Sequence, residues 1–214
     1  MAMGGTVVVA NAPWRWRPAF VEIVRDASRV LAADGGANHL ARIGVRPEAV
    51  VGDLDSILPG VRRWVGEERM VLRPDQESTD LHKTLAFAFD ERGAAEVTVL
   101  AATGGRLDHA LENLMLLARW AGRGSLELRD EEVRVVPVAG RRTFATHPGQ
   151  TISLMPVGRC ERVWTRGLRW PLGGEPLDLA GRTSLSNLAE GAEVEVRVEG
   201  GAVLAFLSTP IADW

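Results

Sequence analysis

The chain reads as an α/β domain followed by an all-β domain, and three observations carry that reading. Up to about Gly122, short Val- and Leu-rich runs alternate with amphipathic segments. After Gly124 the apolar runs become partly alternating and are punctuated by Gly and Pro. In that second stretch no amphipathic helical pattern appears. Near-continuous apolar strands separated by helices mean a mostly parallel sheet covered on both faces, whereas alternating strands joined by turns mean antiparallel sheets packed face to face. The expected domains are residues 1–123 and 124–214, with the boundary at the Gly-containing turn AGRGS rather than at a long linker.

In order, TVVVAN, SRVLAAD, EAVVGD, RMVLRPD and EVTVLAATG are the expected strands of the first domain, too short and too β-branched for buried helices. The clearest helices are TDLHKTLAFAFDERG, with Leu81, Leu85, Ala88 and Phe89 on one stripe, and LDHALENLMLLARWAG, with Leu107, Ala110, Leu111, Leu114 and Leu117 on another. Together they make a Rossmann-like arrangement. The second domain is expected to be an antiparallel β-sandwich of SLELRDEEVRVVPV, RRTFATHPGQTISLMPV, ERVWTRGLRW, AEVEVRVEGG and AVLAFLS.

Composition narrows the class. The 214 residues are 46% hydrophobic and 25% charged, ordinary for a soluble globular protein. A formal net charge of -3 argues against nucleic acid or an anionic membrane as the main partner. No apolar run is long enough to span a bilayer and no signal peptide is read at the start, so a cytoplasmic location is expected. Cys160 is the sole cysteine, which excludes a disulfide scaffold and a thiolate metal cage. Lys83 is the sole lysine among basic residues that are otherwise arginine, and it marks a position where a compact ammonium is wanted.

Ligands of open parallel sheets bind beyond the carboxyl ends of the strands. Each expected strand ends in a polar cluster: Asn11, then DGGAN (Asp34 to Asn38), GDLDS, RPDQESTD (Arg73 to Asp80) and TGGRLDH (Thr103 to His109). Asp53, Asp55, Asp75, Asp80 and Asp108 would crowd carboxylates there. Two unit charges about 4 Å apart repel by roughly 4 kcal/mol at an effective dielectric near 20. A divalent cation relieves that repulsion, and hard oxygen ligands favour Mg²⁺ over zinc. Alternation along the strand would turn Asp53 and Asp55 toward one ion while Leu54 packs inward. Gly35-Gly36 and Gly104-Gly105 each precede a helix and permit close backbone approach, with helix amides available to phosphate. Arg106 is placed to clamp phosphate. Thr79 or Ser78 caps the helix that carries Asp80 and Lys83, three residues apart on one face. His109 begins the next helix; His39, His82 and His147 are expected at the surface or behind the site. These residues alone imply a Mg²⁺-dependent enzyme acting on a polyphosphate.

In this order and spacing, DGGANHL, GDLDSI, PDQESTDLHKTL and GGRLDHALENL resemble the thiamin pyrophosphokinase family, and GLRWPL and SLSN resemble its substrate-side motifs. The resemblance spans roughly Asp34 to Ser208. It implies an α/β domain followed by a β-sandwich, in a homodimer whose active sites join the α/β domain of one subunit to the sandwich of the other. The reaction it implies is ATP plus thiamine giving AMP plus thiamine diphosphate, with Mg²⁺. By that resemblance Asp53, Asp55 and Asp80 look like metal ligands, and these three with Lys83 and Arg106 like the catalytic set. Asp34, Gly35, Asn38, Thr79, Gly104, Gly105, Asp108 and His109 look like the ATP side, and Gln76, Trp170, Ser184, Ser186 and Asn187 like the thiamine side. The chain departs from the family pattern at NAPWRWRPAF, where a Gly-containing turn is usual and Trp14 and Trp16 form an exposed segment or a lid, and at Glu77, where Asp is common. Two other classes compete: an aspartate-dependent phosphohydrolase, since D-x-D after a strand also serves phosphatases, and a nucleotide or thiamine sensor without turnover.

Overall fold

The computed structural model describes residues 4–209. Through the first part of the chain, strands and helices alternate as β1 (Gly4–Val9), α1 (Pro18–Asp26), β2 (Ala27–Ala33), α2 (Gly36–Arg42), β3 (Ala49–Gly52), α3 (Pro59–Val65), β4 (Met70–Leu72), α4 (Asp80–Ala86), β5 (Glu96–Leu100), α5 (Leu107–Arg119) and β6 (Ser125–Arg129). These strands pair in parallel in the order β6-β5-β1-β2-β3-β4. Because β1 lies between β2 and β5, the chain order reverses beside β1, and the loops after β1 and β5 diverge there to leave a crevice. The inner strands are buried along nearly their whole length, Val8, Val9, Leu31, Ala32, Val50, Val51, Val99 and Leu100 among them, which is why they read as continuous apolar runs.

Two compact units are present among the described residues: one formed by residues 4–113 with Arg123–Asp130, the other by Leu114–Gly122 with residues 131–209. SLELR, expected as the opening strand of the all-β domain, is instead the sixth parallel strand, paired with β5. Its Leu126 and Leu128 are buried while Ser125, Glu127 and Arg129 are half-buried, so a one-sided burial gives it the alternation of an antiparallel strand.

The helices follow local chemistry. Thr79 caps α4, its Oγ1 accepting the His82 N–H at 3.3 Å. Leu81, Leu85, Ala88 and Phe89 are all buried, and α4 runs on as a π-helical turn, Phe87–Glu91. On α5 the stripe is covered only toward its end: Leu117 is buried, but Leu107 and Leu111 are 86% and 57% exposed. A period of 3.6 tells which residues share a face, not what covers it.

The second unit holds β7 (Val133–Ala145), β8 (Thr151–Pro156), β9 (Arg159–Arg166), β10 (Gly173–Asp178), β11 (Ser184–Leu188) and β12 (Glu193–Ser208). AEVEVRVEGG and AVLAFLS, expected as two strands, are the single strand β12, antiparallel to β7 over almost its full length. The first half of β12 also pairs with β9 and the second half with β8. Between Val198 and Val203 the register shifts at Gly200 and Gly201, with φ 64° and 149°. The buried positions accordingly change from Val194, Val196 and Val198 to Val203, Ala205 and Leu207, the change of face that an odd number of extra residues imposes. Strands β7 and β12 thus serve both layers of a sandwich whose single core includes Phe144, Ile152, Leu154, Val163 and Leu177.

One glycine fixes how α2 meets the sheet. A Cβ on Gly36 would lie 2.0 Å from the carbonyl oxygen of Val9, at the end of β1. Replacing Gly by Ala inside a helix ordinarily stabilises by about 0.5–1 kcal/mol, but overpacking of this kind costs about 1–3 kcal/mol or more. Gly36→Ala is therefore expected to destabilise, while Gly60→Ala on α3, with open space around it, is expected to be mildly stabilising; thermal melts of the two variants check the contrast.

Candidate active site

The ends of β1 to β5 converge on a cavity of about 540 Å³. Its walls are the segment Ala10 to Pro13 after β1, Ala33 and Asp34 after β2, Asp53 and Ser56 after β3, Gln76 and Ser78 to Leu81 with Lys83 around the start of α4, and Ala102, Gly104, Gly105, Arg106, His109 and Asn113 after β5. Of the four non-glycine residues with positive φ among those described, Asp34, Leu54 and Ala101 stand at the ends of β2, β3 and β5, and only Ser186 lies elsewhere. Backbone held in a sparsely populated conformation concentrates at this edge.

At its centre are three carboxylates. Asp34, Asp53 and Asp80 each present an oxygen, and the three oxygens lie within 4.8 Å of one another. Asp34 is buried; its N–H donates to Val51 O and its Oδ2 accepts the Ser56 N–H at 2.9 Å, while Oδ1 is buried with no hydrogen-bond partner. Asp80 Oδ1 accepts from the Asp53 N–H at 3.3 Å and from Lys83 Nζ at 3.3 Å. Gln76 Nε2 donates to Asp53 Oδ2 at 3.1 Å. Burial raises the pKa of Asp34 above its ordinary value, opposed by the Ser56 N–H and reinforced by Asp80. Burial likewise raises Asp80, offset by Lys83. Asp53 is held low, first by the Gln76 hydrogen bond. Gly52 leaves room for all of this: a Cβ there would stand 2.8 Å from Asp80 Oδ1 and 3.0 Å from Asp34 Cβ.

The expected ligand set and the observed cluster differ by one member. β3 ends at Gly52, and Leu54 turns with φ 65°, so strand alternation does not align Asp53 with Asp55. Leu54 does pack inward. Asp55 is exposed, and its Oδ1 accepts the Ser56 hydroxyl at 2.8 Å. Asp34, expected as a nucleotide-side residue, supplies the third oxygen. Asp75 is exposed and accepts the Ser78 hydroxyl at 2.9 Å, outside the cluster. Asp108 is drawn to Arg106 instead, by bonds of 3.1 and 2.5 Å that hold its pKa at about 2.

Around the cluster, Lys83 is buried with its ammonium at the cavity, and Thr79, Arg106 and His109 line it. Gly104 and Gly105, with φ 91° and 64°, line it too and abut Pro13. Gly35 does not line it; a Cβ there would strike the Asn11 amide at 2.2 Å, so this glycine makes room for Asn11. Asn38 turns its amide to the backbone of Ser56 and Leu58. Sequence reasoning misses Ser56, Pro13 and Asn113, whose Nδ2 donates to Ala102 O at 2.8 Å; only the last carries a signal, one helical turn beyond His109. His39, expected at the surface or behind the site, is buried, and desolvation lowers its pKa. Trp14 and Trp16 form no lid: both are partly buried against the core, Trp14 on Phe20 with ring centroids 4.7 Å apart and Trp16 donating to His39 O at 3.1 Å.

The residues expected at the thiamine side lie in the second unit. Trp170 is 58% exposed, with the Arg169 guanidinium 5.7 Å from its ring centroid. Asn187 is buried, its Oδ1 accepting from Trp170 N and its Nδ2 donating to Trp170 O. Ser184 is half-buried; Ser186 is exposed, with φ 53° and its N–H donating to Ser153 Oγ.

Comparison with known proteins bears on both units. Residues 20–127 match the family model described as the thiamin pyrophosphokinase catalytic domain, and residues 141–203 the one described as the thiamin pyrophosphokinase vitamin B1 binding domain. Thiamine pyrophosphokinase 1 of Oryza sativa subsp. japonica is 29% identical over 208 residues, covering 84% of this chain and 79% of that protein. Thiamine pyrophosphokinase of Bacillus subtilis is 24% identical over 187 residues, covering 84% and 87%. The crystal structure of the Bacillus subtilis protein superposes with a TM-score of 0.82 over 95% of this chain and 98% of that one at 22% identity, and that of yeast thiamin pyrophosphokinase with 0.80 over 99% and 88% at 18%.

The raised pKa of Asp34 has a sign that can be tested without ligand. The folded state binds this proton more tightly than the unfolded chain, so the ionised side chain costs stability at neutral pH, and the cost fades as pH falls through the folded value. Asp34→Asn keeps an acceptor for Ser56 N and removes the charge. Melted in EDTA at pH 7, it is expected to exceed the parent by about 1 kcal/mol, an advantage that shrinks on acidification. A variant less stable than the parent would contradict the electrostatic reading.

Proposed function

Because the chain belongs to the thiamin pyrophosphokinase family, we propose that the cavity at the strand ends is where it transfers the diphosphoryl group of ATP to the hydroxyl of thiamine. The observation that carries this placement is the convergence of Asp34, Asp53 and Asp80 beside the buried Lys83. The thiamine hydroxyl oxygen attacks the β-phosphorus, the bond from that phosphorus to the oxygen of the α-phosphate breaks, and AMP leaves with one proton released overall. Such a transfer depends on alignment and on neutralising charge as it moves among phosphate oxygens.

Three hard oxygens, from a set that includes a buried carboxylate with one oxygen lacking a donor, fit Mg²⁺. We assign the ion to Asp34, Asp53 and Asp80, with Asp55 at the solvent side of the same loop. When bound, it supplies charge neutralisation to the polyphosphate. Lys83 brings a fixed ammonium to the phosphate side, and Thr79 ends its helix there. Arg106 is held by Asp108 and needs only a side-chain turn to reach an anion in the cavity. Gln76, bonded to Asp53, couples that carboxylate to the acceptor side.

For thiamine the exposed Trp170 indole is the assigned wall, since an aromatic face attracts a thiazolium cation. Asn187 bonds the backbone at Trp170 and Leu188, so its role is to hold the main chain that carries that indole. Ser184 and Ser186 stand on the same strand. A homodimer in which each sandwich serves the partner's cavity is part of this proposal.

Phosphorus NMR of the protein with ATP, Mg²⁺ and thiamine is expected to show AMP and thiamine diphosphate rising together, and only with thiamine present; ADP or free phosphate without a diphosphorylated product would refute the proposal. In the same assay Lys83→Met is expected to lower kcat by about a hundredfold or more. Asp53→Asn is expected to abolish turnover while its melt in EDTA stays within about 1 kcal/mol of the parent.

A further inference from the structure

We propose that Asn38 is a positioning residue for the metal-binding carboxylates, acting through the loop from Asp53 to Leu58 and not through contact with nucleotide. The inference rests on the assignment of a divalent cation to Asp34, Asp53 and Asp80.

That loop carries Asp53 but has no helix or strand of its own. Its near end is held by bonds that involve the carboxylates themselves, from Asp53 N to Asp80 Oδ1 and from Gln76 to Asp53 Oδ2. Those acceptors are the atoms a cation would engage, so these bonds are the ones open to change when it arrives. The far end is held differently. Asn38 Nδ2 donates to Ser56 O at 3.0 Å, and Asn38 Oδ1 accepts from Leu58 N at 3.0 Å. The Ser56 N–H between them donates to Asp34 Oδ2, leaving Asp34 Oδ1 unpartnered. Leu54 and Ile57 pin the same loop into the core.

Asn38 is thus the neutral clamp of a loop whose other polar fastenings, among the described residues, are carboxylates. It stands on α2, which Gly36 seats directly on the Val9 carbonyl of β1, so the clamp transmits the position of the sheet to Asp53. An amide suits this role because it donates and accepts at once and adds no charge to a crowded anionic site. Groups that orient metal ligands in this way typically change metal affinity by about 10- to 100-fold when removed.

The test titrates Mn²⁺ alone into metal-stripped protein and follows the free-ion EPR signal. Asn38→Ala and the milder Asn38→Ser are compared with the parent, with Asp53→Asn as the control for the metal site. Both Asn38 bonds lie at the surface, so the variants are expected to fold; melts in EDTA verify it. Asn38→Ala is expected to weaken Mn²⁺ binding about tenfold and Asn38→Ser less. Under turnover, the Mg²⁺ concentration for half-maximal rate rises while KM for thiamine holds, and excess Mg²⁺ restores the rate. Unchanged Mn²⁺ affinity in both Asn38 variants, with Asp53→Asn losing the ion, overturns the clamp and leaves the metal site standing. If Asp53→Asn binds Mn²⁺ like the parent, the metal assignment itself fails and the clamp fails with it.

Discussion

The carboxylate of Asp34, buried at the end of β2 with one oxygen lacking any donor, sets the terms for the rest of the site. A desolvated charge is among the most unfavourable groups a fold can carry, and here two more carboxylates stand within 4.8 Å of it. Lys83 neutralises one charge through Asp80, and Gln76 supplies a donor to Asp53. The remaining excess is negative and points into a cavity. A site so arranged favours a small divalent cation before any ligand arrives, since the repulsion built into the fold is what the cation relieves.

Much of what holds this arrangement is backbone geometry at one sheet edge. Parallel strands put all their carboxyl ends together, and the reversal of strand order beside β1 opens space there. Gly52 lets Asp80 approach the end of β3, and Gly36 lets α2 approach the end of β1. Positive φ at Asp34, Leu54 and Ala101 turns three chain segments sharply out of their strands. The second unit uses the same device for a different end: Gly200 and Gly201 bend β12 so that one strand serves both layers of the sandwich.

Much of this is legible in the residues, and the exceptions have physical causes. Buried parallel strands announce themselves as apolar runs, and the buried stripe of α4 has the helical period that marks it. β6 reads as part of the wrong unit because a strand covered on one face alternates whatever its partners' direction. Asp55 groups with Asp53 in the sequence because i and i+2 share a face in a strand, yet the strand has already ended. Asp34 reads as a nucleotide residue because nothing in its neighbours reveals that Val51 and Ser56 fold over it; that juxtaposition comes from the pairing of β2 with β3. The packing of Trp14 and Trp16 against the core escapes sequence reasoning on the same ground, since a segment outside helix and strand carries no period to detect.

The single lysine shows how far chemistry rather than composition chose a residue. Elsewhere this chain answers every need for a cation with arginine. Lys83 is buried on α4, three residues after Asp80, with its Nζ 3.3 Å from Asp80 Oδ1. A guanidinium there would bring five donors in a rigid plane to a buried position where the ammonium bonds a single carboxylate oxygen, Asp80 Oδ1, and every further N–H would need an acceptor of its own. An ammonium needs fewer partners and, at the end of a flexible stem, keeps a donor free toward the cavity. The same compactness suits a charge that must face tetrahedral phosphate at one position and then release the product. Hydrogen-bond accounting therefore favours lysine over arginine at this position even before catalysis is considered, and the two demands select the same side chain.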